Sequence, residues 1–174
     1  MFLLKSQRIV FLLTLITLSI FSISSAQAVD YKNVGLGLSF SYPDSIHLDM
    51  SNPDKDPYNI PFTYGKPPYS LSILLKDTGS VGNISTFLKT EHARQKAGGY
   101  AGEVQEKHYK LSSGHKAVEL IRTTSHGTIY YFVFPTLKTK KIMGLWLMSS
   151  PAADPRGNAV TAYKAMRDSL ALLR

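Results

Sequence analysis

The chain predicts an α+β domain built on an antiparallel sheet, and three observations carry that prediction. Leu38-Ser-Phe-Ser-Tyr42 alternates strictly, which puts Leu38, Phe40 and Tyr42 on one face of a strand. Two late segments, Ile-Tyr-Tyr-Phe-Val-Phe from Ile129 and Ile-Met-Gly-Leu-Trp-Leu-Met from Ile142, do not alternate at all. Continuous apolar strands are covered on both faces, so the centre of the sheet lies between layers. Ala159, Tyr163, Met166, Leu170 and Leu173 recur at four- and three-residue steps, the stripe of an amphipathic helix.

The elements follow in order. Tyr31 to Gly37 is a turn-rich start, and Pro43 stops the first strand. From Pro43 to Pro68 six prolines interleave with four aspartates, which predicts a long irregular excursion with one short strand at Ile60–Tyr64. Tyr69 to Lys76 returns to strand, and Asp77 to Gly82 reads as a turn. Asn83 or Ser85 caps a helix to about Ala97, with Ile84, Phe87, Leu88 and Gln95 on one face and Gly98-Gly99 ending it. Residues 103–125 form a hairpin about Ser113-Gly114. A two-residue turn there sets His108 opposite Glu119, and puts Tyr109, Leu111, Val118 and Leu120 on one face. Turns at Ser125-His126-Gly127 and Lys138-Thr-Lys-Lys141 lead through the two apolar strands. Asp154-Pro155 then supplies an N-cap and first helical position for a helix continuing to Leu173. The sum is five to seven strands and two helices.

Residues 1–28 have the layout of a secretory leader. Lys5 and Arg8 precede the apolar run Ile9 to Ile23, and Ala26-Gln27-Ala28 is an A-x-A cleavage site. A membrane span needs about 20 apolar residues; this run has 15 and is interrupted by Thr14, Thr17, Ser19 and Ser22. The reading is therefore cleavage after Ala28 and a mature domain of residues 29–174 in the periplasm or outside the cell. That length buries a sufficient core by packing alone. The absence of cysteine rules out disulfides, a lipidated thiol and thiolate metal sites. Net charge is +8, of which the leader holds two, leaving +6. A positive domain favours anionic surfaces or acidic proteins, and export argues against nucleic acid as the partner.

No motif in the mature chain names a reaction. There is no G-x-S-x-G elbow, and Ser112-Ser-Gly-His115 is explained by turn preference. His108 opposite Glu119 could orient an imidazole for metal or acid–base work. His47, His92, His115 and His126 lie in different elements. Asn52-Pro-Asp54-Lys-Asp56 opens like a calcium loop, but Pro57 stands where glycine is required. Asn83-Ile-Ser85 is a sequon that also explains itself as a helix cap. Lys138, Lys140 and Lys141 form the densest basic cluster, at a hairpin tip, and are the candidate partner contact. The reading names no catalytic, cofactor-binding or metal residue and implies no cofactor.

In this order the chain resembles the PsbP-like family. Tyr31-Lys-Asn-Val-Gly-Leu-Gly-Leu-Ser-Phe-Ser-Tyr-Pro43 is similar to that family's opening, and Leu145-Trp-Leu-Met-Ser-Ser150 and the closing Ser169-Leu-Ala-Leu-Leu173 extend the likeness. The resemblance implies an α/β/α sandwich, with helices on both faces of an antiparallel sheet. It also implies a non-catalytic accessory role, as in the extrinsic photosystem II subunit, a Ran-system import cofactor and bacterial envelope lipoproteins. The long N-terminal tail of the plant subunit and the anchoring cysteine of the lipoproteins are both missing.

The leading expectation is an exported binding or accessory domain that contacts a protein or an anionic envelope component, through the 43–68 loop and the lysine tip. Two alternatives stand beside it. One is a small hydrolase or metal-dependent enzyme using the His108–Glu119 face; the other is a photosystem II accessory protein, if the host is photosynthetic. An enclosed polar pocket of about 300 Å3 or more would favour an enzyme.

Overall fold

The computed structural model describes residues 27–48, 59–64, 71–98 and 102–173, so all of the leader but Gln27 and Ala28, together with Asn52–Asp56 and much of the proline-rich excursion, lies outside the described residues. Among the described residues ten strands form two antiparallel sheets. β1 (Ala28–Asn33), β2 (Leu38–Pro43) and β10 (Ala171–Leu172) make a small sheet in the order β1-β2-β10. The large sheet is ordered β3-β4-β5-β9-β8-β7-β6. It is formed by β3 (Ile46–Leu48), β4 (Asn59–Tyr64), β5 (Leu71–Val81), β6 (Val104–Lys110), β7 (Lys116–Thr124), β8 (Gly127–Pro135) and β9 (Lys141–Ser149).

Helix α1 (Ile84–Lys96) packs through Ile84 and Phe87 against Val118, Leu120, Val133 and Ile142 on one face of the large sheet. Helix α2 (Asn158–Asp168) and the small sheet cover the other face. Their Tyr163, Met166, Leu38 and Phe40 meet Ile73, Leu75, Phe132 and Leu145 there. The layered expectation holds, and the reason is legible in β8 and β9, whose successive side chains enter the two cores alternately. The alternation of Leu38, Phe40 and Tyr42 likewise buries all three. Phe62 sits between them, with ring centroids 5.3 Å from each of Phe40, Tyr42 and Tyr31.

Several local expectations are corrected. The excursion contains an additional strand, β3, paired with β4. Asp77 to Gly82 is not a free turn. β5 runs to Val81 through an irregularity, held by Thr78 Oγ1 donating to the Ile142 carbonyl at 2.8 Å and by Asp77 Oδ1 accepting from the Gly79 amide. Asn83 is the cap of α1, accepting from the Thr86 amide at 3.0 Å, but Gln95 is exposed. α2 starts later than predicted because Gly157, left-handed at φ 67°, occupies the cap position. Asp154 still serves it from a distance, its buried carboxylate accepting from the Ala159 and Val160 amides at 3.1 and 3.3 Å. The helix stops at Asp168. Ser169 turns its hydroxyl to Ala165 and accepts from the Ser41 amide, and the chain continues as β10 beside β2.

The hairpin register is the correction with functional weight. The connection holds three residues, Ser112, Ser113 and Gly114, with Gly114 left-handed at φ 83° and the Leu111 amide donating to the His115 carbonyl. Lys107, not His108, therefore lies opposite Glu119, and His108 lies opposite Val118. A one-residue slip moves a side chain to the other face of a sheet. Tyr109 and Leu111 share their face with Ala117 and Glu119, while Val118 and Leu120 belong to the α1 side.

Candidate functional site

On the α1 face the strand registers align side chains in cross-sheet rows. One row reads His108, Val118, Val133, Gly144 and Lys76; the next reads Glu106, Leu120, Tyr131, Trp146 and Leu74; the third reads Val104, Arg122, Ile129 and Met148. Helix α1 covers part of this face. Beside it a cleft of about 290 Å3 remains, walled by Phe87, Glu91 and Arg94 of the helix and floored by Leu120, Tyr131 and Trp146. A shallower depression of about 490 Å3 continues it past Arg122 and Ile129, which line both, to Met148 and His126.

Gly144 explains the floor. A Cβ at that position would collide with the ring of Tyr131, so the ring occupies the place of the missing side chain. The Lys76 ammonium then lies 5.5 Å from the centre of the Tyr131 ring and 5.3 Å from that of Trp146. Burial, and then the nearby Glu91 and Asp77 carboxylates, push the Tyr131 hydroxyl well above the usual tyrosine range. It stays protonated and is a hydrogen-bonding group rather than a base. The acids of the cleft have cationic neighbours: Asp77 accepts from Lys141 at 2.6 Å, and Glu91 lies 3.8 Å from Arg94. Lys76 has two rings and no carboxylate within ion-pair distance among the described residues.

The cleft alone lies just below the volume at which small-molecule sites begin and the depression that continues it lies above, but both are open rather than enclosed. Lys76, Asp77, Tyr131 and Trp146 are all partly exposed, and the neighbouring depression is lined mostly by exposed residues.

The sequence-derived candidates are dispersed by the fold. Glu119 and His108 are on opposite faces of β6–β7, so the pair proposed for metal or acid–base work does not form. Glu119 is instead buried under α2. Arg167 Nη1 donates to both its oxygens at 3.0 Å, and the Tyr109 hydroxyl donates to Oε2 at 2.9 Å. Burial opposes the charge on Arg167, but hydrogen bonding to Asp168 and the field of Glu119 outweigh it and hold its pKa above the ordinary value. Burial and the bond to Glu119 raise Tyr109 as well. His108 and His92 each place Nε2 2.8 Å from a different oxygen of Glu106, joining α1 to β6 at the surface. Among the described residues no three His, Asp or Glu side chains have the geometry to hold a metal ion. His115 meets the neighbouring Ser113 hydroxyl, at 3.2 Å in the exposed turn.

The three lysines of the tip diverge. Lys138 donates to the Val34 carbonyl at 2.9 Å, Lys141 is tied to Asp77, and Lys140, left-handed at φ 55°, is exposed. Sequence reasoning missed both the cleft and the Arg167–Glu119 pair. The alternate positions 129, 131, 146 and 148 within the two apolar strands were the available signal for the first.

No protein-family model matches the chain, and no curated protein matches it. Among solved structures, its fold is similar to that of cyanobacterial PsbP from Synechocystis sp. PCC 6803. The TM-score is 0.53 with 11% identity, over 87% of this chain and 95% of that one. The Saccharomyces cerevisiae Ran-binding protein Mog1p is matched at a TM-score of 0.47 and 8% identity, over 86% of this chain and 97% of its own. The likeness to the cyanobacterial protein is one of fold.

Proposed function

We propose that the chain is an exported, non-catalytic binding or accessory domain of PsbP-like type, working in the bacterial envelope or secreted fraction through contacts with a protein or an anionic envelope component. The observation that carries the reading is the open cleft beside α1, where Trp146, Tyr131 and an ammonium with no carboxylate partner among the described residues are partly exposed. The carboxylate that sequence reasoning assigned to chemistry is engaged by Arg167 and Tyr109. The leader at residues 1–28 supports export, and the PsbP-like fold supplies the frame. Lys140 at the hairpin tip is a secondary contact in this reading.

The test is expression of the full chain in a Gram-negative host, followed by N-terminal sequencing, metal analysis and crosslinked capture from envelope extract. The expected result is a protein beginning at Val29 in the periplasm or medium, free of stoichiometric metal, that captures one discrete envelope component. Retention in the cytoplasm would refute export; a stoichiometric metal would refute the non-catalytic assignment, and failure to enrich any component over an unrelated basic domain would refute binding.

A further inference from the structure

We infer that the cleft and its continuation form a docking groove for a short, extended, acidic segment of a protein partner, a proposal that rests on the binding-domain reading. The groove follows strand β9 from the level of Gly144, opposite Lys76, to Met148. Four strand residues span about 13 Å, the length of four residues of extended peptide.

Its two ends differ in chemistry. At one end the Lys76 ammonium lies between two rings with no carboxylate among its described partners, so it selects an anion. At the other end Ile129 and the exposed Met148 form an apolar patch, with Arg122 beside them. Side chains on one face of an extended peptide are about 7 Å apart. An acid on Lys76 therefore places the next same-face residue near Trp146 and the one after it toward Met148. The preferred pattern is Asp or Glu followed, two or four residues on, by an apolar residue. The net charge of +6 left after the leader favours approach of an acidic segment, and the cleft's two acids, Asp77 held by Lys141 and Glu91 beside Arg94, do not cancel Lys76.

Trp146 is the only tryptophan, so its fluorescence reports occupancy of the groove directly. Protein purified after expression of the full chain is used to select a displayed library of random heptapeptides, and enriched peptides are synthesised and titrated. The expected result is enrichment of the acid-to-apolar pattern, with a saturable change in Trp146 emission that weakens as salt is added. Lys76→Met keeps the stem and removes the charge, and weakens binding about tenfold, the scale of one charged hydrogen bond. Met148→Glu, at an exposed position that leaves the core untouched, has a similar effect from the other end. Enrichment without acids, peptides that leave Trp146 emission unchanged, or hexanoate binding as tightly as the peptide would each overturn the proposal. If the envelope component captured by the wild type is captured equally by Lys76→Met, this inference falls while the binding-domain reading stands.

Discussion

Arg167→Met tests how the α2 face is held together. Glu119 is 1% exposed, and the Arg167 side chain is 12% exposed. The substitution keeps the apolar stem against Tyr109, whose ring lies 5.0 Å from the guanidinium carbon, but removes both bonds from Nη1 to the carboxylate. Glu119 is left with the Tyr109 hydroxyl at 2.9 Å and the buried Tyr163 hydroxyl nearby. Stranding one member of a buried pair costs about 3–5 kcal/mol. At about 3 °C per kcal/mol for a domain of this size, melting falls by about 9–15 °C. Glu119→Gln costs less, because Arg167 keeps Asp168 at 2.7 Å and its partial exposure. The double variant Glu119→Gln/Arg167→Met removes both charges and recovers most of the loss, giving a coupling energy of about 2 kcal/mol or more in the cycle. Urea unfolding of the four proteins at neutral pH measures this. Additive losses, or an Arg167→Met loss under about 1 kcal/mol that disappears in high salt, would mean that the pair is a solvated surface bridge and refute the reasoning.

Three further outcomes are expected. Gly144→Ala forces Tyr131 off its place and destabilises by about 1–3 kcal/mol, the usual scale of overpacking, read by urea unfolding with a shift in Trp146 emission. Asp154→Ala removes a cap that serves two amides of α2 and costs about 1–2 kcal/mol in the same assay. Tyr31, Tyr109, Tyr131 and Tyr163 are each held above the ordinary tyrosine value, with burial as the leading cause. A raised pKa means the folded state keeps its proton longer, so this contribution is complete below about pH 10 and is lost as pH rises further. A tyrosinate absorbance titration should therefore show a late class that ionises together with alkaline unfolding, whereas titration of all tyrosines near pH 10 in a folded protein would contradict the burial.

What could be read from sequence was local. The alternation of β2 and the unbroken apolar runs of β8 and β9 state their burial directly, because side-chain period and burial are the same fact in a strand. The cap at Asn83 is decided within three residues. The register of β6 against β7 turned on whether Ser-Ser-Gly closes a two- or a three-residue loop, and one residue there reversed the face of Glu119. Nor does local pattern announce that Glu119 meets an arginine 48 residues away on α2. The cleft draws its walls from α1 and five strands of the large sheet, and its character depends on a ring filling the space left by a glycine. Such sites are made by topology and leave no motif.

The small sheet has a consequence for when the molecule can finish folding. β2 is flanked by β1 from one end of the chain and by β10 from the other, and the Ser169 hydroxyl ties back to the Ser41 amide 128 residues earlier. A chain made from its N-terminus can pair β1 with β2 at once, but it leaves the second edge of β2 open until β10 is available. Closing so long a loop is a late and slow event. Assembly of this layer therefore comes late: β1 and β2 pair locally, and the layer is complete only when β10 docks on β2.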